Sequence, residues 1–370
     1  MFTQKLNNNK KFIIVSLLLS LILIFTYLSY NLIQKNNEKN LAKITSINEK
    51  ISVVQGVHGK NETIKNQNIK ALIIKGKYKN KSISLNNKTS YSKINDSEYK
   101  IGDKIFISLK DDLKNGTIIS FKRDNYILYI TLVFIFLILV IGMYKGTLSL
   151  ISLFINILIF SILIKTFLES GHLIIISIIS SILFVVLSIT IVCGISKKSL
   201  ASIVSTLIST LISVIIFLIV VKINSWQGIH FESMEFLTHS PIEIFIVEII
   251  IGTLGAVMDI SISISSSLKE IHDLTPEIEV KSLIKSGIDI GKDIMGTMAN
   301  TLLFAYISGS IPMIILLLKN DYSIYYILNI NLSLEFIRAL TGSIGVVLCI
   351  PISIYISVFF IKNLRLEKLR

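Results

Sequence analysis

The chain has 370 residues, 52% of them hydrophobic, and its mean hydropathy is +0.71. That composition excludes an ordinary soluble domain, because several apolar runs exceed the roughly 18 residues that mark a spanning helix. The net charge of +13 sits in a sequence rich in Ile, Lys and Asn throughout, so it points to a basic protein beside anionic lipid and away from nucleic acid.

The first apolar run, residues 12–33, follows Lys10 and Lys11. Its far end, LSYNLIQKNN, lacks a small-x-small cleavage signal, so residues 1–35 read as a retained anchor helix. Residues 36–124 are polar and Lys-rich. Short alternating segments (ISVVQGV, IKALIIKG, KSISLNN, DKIFISLK and GTIISFK) are separated by Gly, Asn and Asp. They read as strands and turns of a small barrel or sandwich, with a turn at Gly102-Asp103. From residue 125 the chain is a membrane domain with seven further spans, at 126–143, 147–168, 172–194, 199–222, 241–267, 293–318 and 334–361. The expected fold class is an α-helical polytopic membrane protein of about eight transmembrane helices. A small β-rich extracytoplasmic domain follows the first helix.

Placing the N-terminus in the cytoplasm puts Lys145, Lys197, Lys198, the 268–292 loop and the basic tail on the inside. The opposite loops hold only Lys222 and Lys319, both at span edges. This is a positive-inside pattern with both termini cytoplasmic and residues 36–124 outside the cell membrane.

Polar residues inside the spans follow helical spacing. Glu248, Gly252, Gly255, Asp259, Ser263, Ser266 and Glu270 step by 3 and 4 and so share one face. In the next span Asp289, Asp293, Gly296 and Asn300 step the same way, with Thr297 beside them. A carboxylate in hydrocarbon costs roughly 2.5–3.5 kcal/mol on insertion scales, so these faces should meet protein or water. If the two spans form a hairpin, Asp259, Ser263, Ser266, Asp293, Thr297 and Asn300, with Glu248 farther along, make an oxygen-rich site. Such oxygens suit a proton or a hard cation. The bland alternative is that the stripes only glue helices together. Glu335 and Arg338 can pair as i,i+3 neighbours near a membrane boundary.

No cofactor is expected. There is no phosphate-binding glycine loop and no H-E-x-x-H, and no histidine pair has metal-ligand spacing. Cys193 and Cys349 both lie in apolar runs, which disfavours a disulfide framework. Asp259 and Asp293 invite an aspartyl-protease reading, but Asp259 follows Met258 and Asp293 sits in IGKD, so no enzyme is expected.

GAVMDISISISSSLKEI (255–271) and SGIDIGKDIMGTMANTLLFAYISGSIP (286–312), together with MYKGTLSLISLFIN (143–156) and the GDKIFI strand, resemble the YibE/F-like family of bacterial multi-pass membrane proteins. The likeness covers most of the chain and departs from the pattern at FLESGH, which has no proline. It implies the architecture and lends no activity. Any family site would map to Asp259, Ser263, Asp293 and Asn300. The expected function is a secondary transporter, permease or permease subunit coupled to a proton or cation, as a homo-oligomer or with a second membrane subunit. The alternative is a membrane scaffold or sensor whose β-domain binds an envelope partner.

Overall fold

The computed structural model describes residues 40–55, 61–76, 78–90, 96–109, 116–231, 234 and 240–368. The expected anchor at 12–33 lies outside them. Two compact units divide the chain, Met1–Thr147 and Leu148–Arg370.

In the first unit all five expected strands form: β1 (Asn40–Gln55), β2 (Asn61–Lys75), β3 (Ser82–Thr89), β4 (Lys104–Leu109) and β5 (Gly116–Phe121). They make one antiparallel sheet in the order β3-β2-β1-β4-β5. Gly116 on one edge strand backs onto Ile83 and Leu85 of the other. The sheet therefore curls until its edges meet around a core of Ala42, Ile44, Ile69, Ala71, Ile73, Ile83, Leu85, Tyr99, Ile105 and Ile107. β1 starts at Asn40, well before the expected ISVVQGV segment. Register shifts at Leu41/Ala42 and Ile44/Ser46 break the alternation there, which hides the strand from a period-2 reading. The Gly102-Asp103 turn is present, with Gly102 at φ 96° and the Lys100 N–H donating to Asp103 Oδ2 at 2.8 Å.

The helices are α1 (Asp124–Ser170), α2 (Leu173–Cys193), α3 (Lys197–Ile223), α4 (Pro241–Leu274), α5 (Val280–Lys319), the single turn α6 (Ile324–Tyr326) and α7 (Ser333–Lys368). A π-helical turn, Ile327–Asn331, precedes α7. Six of the helices are long and apolar enough to cross a membrane, against eight spans expected. The first expected span is outside the described residues. The second and third are one helix, α1, broken at Met143 (φ 46°, ψ −124°). Just past the break, a Cβ on Gly146 would lie 2.3 Å from the Ile138 carbonyl oxygen, so only glycine fits.

The expected loop at 268–292 is mostly helical. α4 runs on to Leu274 and α5 starts at Val280. Beyond the apolar run, Lys269 pairs with Asp273 one turn away, and i,i+4 pairs of this kind prolong a helix into water. At its other end α4 opens on Pro241, the residue best suited to a first helical position.

Helices α3, α4 and α7 pack around a common interior. α3 turns Ser202, Ser205, Thr206, Ser209, Thr210 and Ser213 inward. A Cβ on Gly345 of α7 would meet Thr253 Cγ2 at 2.7 Å, Val257 Cγ2 at 3.1 Å and Ser213 Cβ at 3.3 Å. The three backbones approach closely at that point. α5 joins by one face, where Gly287 and Gly291 sit against Ile354 and Ile350 of α7.

Candidate functional site

The polar stripe of α4 is divided by what covers it. Toward the Pro241 end, α5 and α7 close over it. The Tyr306 hydroxyl of α5 lies against Gly252, where a Cβ would be 2.0 Å from that oxygen. One turn earlier Glu248 Oε2 is 3.5 Å from Arg338 Nη1 of α7. Arg338 Nη2 donates to Glu335 Oε1 at 3.1 Å, and the Ser310 hydroxyl of α5 donates to the same oxygen at 3.3 Å. The guanidinium also lies over the rings of Phe245, at 5.9 Å, and Tyr306, at 5.8 Å. One arginine is thus held by two carboxylates and two aromatic faces drawn from three helices.

The Arg338 and Glu335 side chains are each 19% exposed, which makes mutual pairing their condition for being there at all. Glu248 differs. Its Oε2 atom is buried and makes no hydrogen bond among the described residues. It is held by charge alone, across a helix boundary.

Past Gly252 the stripe is open. Asp259 and Ser263 are exposed and Ser266 is half-buried. They lie opposite the face that buries Val257, Ile260, Ile264 and Leu268. The Asp259 carboxylate has no ion-pair partner among the described residues. Ser263 donates to the Asp259 carbonyl of its own helix at 2.8 Å.

On α5, Met295, Met298 and Leu302 pack inward. Asp293, Thr297 and Asn300 are exposed on the opposite face. Thr297 donates to the Ile294 carbonyl at 2.8 Å, and Asp289 lies 3.7 Å from Lys292. No hydrogen bond joins Asp259, Ser263 or Ser266 to Asp293, Thr297 or Asn300 among the described residues. The structure brings Glu248 into a cluster. It leaves Asp259, Ser263, Asp293, Thr297 and Asn300 exposed and Ser266 half-buried.

The hydroxyls that do join helices belong to neighbouring positions. Ser261 donates to the Ser202 carbonyl at 2.8 Å, Ser265 and Ser357 share a bond at 2.8 Å, and Ser213 donates to the Thr341 carbonyl at 2.6 Å. Cys349 reaches the Val257 carbonyl at 3.4 Å. The i,i+3/i+4 recurrence of Ser and Thr in SLASIVSTLISTLIS (199–213) was the available signal for α3. Nothing local indicated that Arg338 would meet Glu248. Among the described residues no group of three or more His, Cys, Asp or Glu could hold a metal.

A family model described as YibE/F-like protein matches residues 130–363. A second, the YibE/F family N-terminal domain, matches residues 34–121. No curated protein and no solved structure matches the chain.

Proposed function

The chain belongs to the YibE/F-like family, and from that premise we propose that it is a secondary transporter or permease subunit coupled to a proton or a hard cation. The observation that carries this reading is the Glu248–Arg338–Glu335 cluster. Arg338 has two carboxylate partners, one on its own helix and one on α4. Neutralising Glu248 with a proton, or competing for it with a cation, removes only the inter-helix attraction. The Arg338–Glu335 pair survives, and this one tie between α4 and α7 is lost. A charge change at one atom then biases the packing of two helices, which a coupled carrier requires. Asp259, Ser263, Ser266, Asp293, Thr297 and Asn300 extend the oxygen-bearing faces from this point and are proposed to receive the ion. The non-enzymatic character, the eight-span topology in the cell membrane, the cytoplasmic termini and the external β-domain belong to the same proposal. So does a second copy or second membrane subunit, which would cover the exposed acidic face of α5.

The test follows thermal unfolding of purified protein across Na⁺, K⁺, Mg²⁺, Ca²⁺, Mn²⁺ and pH, comparing wild type with Glu248→Gln and Asp259→Asn. A ligand at about 100 times its dissociation constant stabilises by roughly 2.7 kcal/mol. An ion- or pH-specific shift that disappears in either variant supports coupling. A shift that is absent, or unchanged in both variants, overturns it.

A second reading, a scaffold or sensor, is favoured by one feature of the β-unit. Beyond β4, the β1–β2 hairpin leaves Ile51 and Val53 65% and 63% exposed. Apolar side chains on a projecting hairpin suit strand-edge contact with an envelope partner. Loss of partner capture on replacing both with Thr, with ion response intact, would favour it.

A further inference from the structure

A groove of about 910 Å³ lies in the first unit, between residues 96–103, β5 and the start of α1. Its walls carry both signs of charge. Glu98 is paired with Lys65 at 2.7 Å, and the remaining charged lining residues are Asp96 and Asp103 with Lys100 and Arg123. Among the described residues no ion pair joins these four side chains to one another. Each acid is held by a backbone amide instead. The Ser90 N–H donates to Asp96 Oδ2 at 2.8 Å, and the Lys100 N–H donates to Asp103 Oδ2 at 2.8 Å. Among the described residues the other oxygen of each of these two carboxylates makes no hydrogen bond.

The groove also has a fixed relation to the membrane edge. The Arg123 carbonyl accepts from the N–H groups of Tyr126 and Ile127, at 3.0 and 3.2 Å, so Arg123 is the residue on which α1 starts. Tyr126 begins the apolar span, and a tyrosine there is a usual interfacial anchor. A span that begins at Tyr126 puts the headgroup layer at this level. The rings of Tyr99, Phe121 and Tyr126 follow one another at 6.5 and 6.3 Å. Tyr99 is buried and only Tyr126 is widely exposed. The groove therefore has no aromatic cage of the kind that selects quaternary ammonium.

We infer that this groove binds the headgroup of a phospholipid carrying a phosphate and a primary amine, with the phosphate on Arg123 and Lys100 and the ammonium on Asp96 and Asp103. The guanidinium fork matches phosphate oxygens. An ammonium brings three donors to the two anchored carboxylates.

The experiment titrates the full-length, delipidated protein with dihexanoyl phosphatidylethanolamine, the matching phosphatidylcholine and phosphatidylglycerol, and free phosphoethanolamine, by calorimetry. The ethanolamine lipid should bind best. Arg123→Gln should weaken it about tenfold, the effect of one charge-assisted group. Asp96→Asn keeps an acceptor for the Ser90 amide and should lower the preference over phosphatidylglycerol. Thermal unfolding of each variant, expected at the wild-type temperature, shows that the fold is kept. Equal binding of phosphatidylglycerol would overturn the amine half of the inference. Equal binding of free phosphoethanolamine would overturn the lipid source. Absent binding, or an Arg123→Gln variant that folds and binds like wild type, would overturn the site.

Discussion

Arg338 is the residue whose removal should cost most. Arg338→Gln leaves Glu248 and Glu335 facing each other without a cation, and breaking one partner of a buried charge network costs roughly 3–5 kcal/mol. Replacing all three with apolar residues of similar volume should recover most of that stability while abolishing any ion-linked shift. Thermal unfolding in detergent measures both outcomes. Gly252 makes a sharper test of the same contact. Gly252→Ala drives a Cβ into the Tyr306 hydroxyl, and overpacking of this kind costs roughly 1–3 kcal/mol. The hydroxyl is the closest atom, with the ring Cζ behind it at 3.2 Å, so Tyr306→Phe should relieve part of the penalty, and a double-mutant cycle would show the coupling. In the β-unit, Gln67 is 1% exposed and fully bonded. Its amide donates to Glu49 at 2.7 Å and to the Tyr99 carbonyl at 3.0 Å. Its oxygen accepts from the Tyr99 N–H at 3.1 Å and from Asn87 at 3.0 Å. It pairs with Tyr99 as a strand backbone would. Gln67→Leu strands both Tyr99 backbone groups and should cost roughly 1–3 kcal/mol, read by pulse proteolysis within 40–121.

At the scale of elements, glycines separate the faces that pack from those that do not. Gly345 sits against stiff, branched side chains of α4, which cannot swing aside. Gly345→Val should therefore force α4 and α7 apart and lower the unfolding temperature of the purified protein. Gly255 and Gly296, on the two polar stripes, have nothing within 4 Å of an added Cβ. Their Ala variants should be neutral, or stabilising by up to about 1 kcal/mol through helix propensity. A clear loss of stability in either would locate a partner on that face. The sheet has a different dependence. Burial pushes the Tyr99 phenol up, and a hydrogen bond from Lys65 to Glu98 raises the lysine. Both groups are raised relative to the unfolded chain, so their contribution is complete below the ordinary tyrosine value of 10.0. It is lost as pH rises through their folded values. Pulse proteolysis of the sheet should show destabilisation above about pH 10, weakened in Tyr99→Phe.

Across the whole molecule, two kinds of information separate. The apolar runs from residue 126 onward, most strand positions and the faces carrying Asp259 and Asp293 were legible in the chain, because they depend on run length and on local periods of 3.6 and 2. Two spans, 126–143 and 147–168, were expected with a loop between them, and one helix broken at Met143 runs through both. The start of β1 was not, because bulges at Leu41/Ala42 and Ile44/Ser46 erase the alternation. Periodicity says which residues share a helix face and says nothing about what that face meets. Glu248 and Asp259 stand on one stripe, yet α5 and α7 cover the first and leave the second exposed. Arg338 and Glu335 read as a local boundary pair, and only packing of α7 on α4 made Glu248 the third member. The sequence alone determined which elements form and which faces are polar, since both follow from neighbours along the chain. Tertiary structure decided which carboxylate finds its arginine, since that depends on the close approach of helices about 90 residues apart.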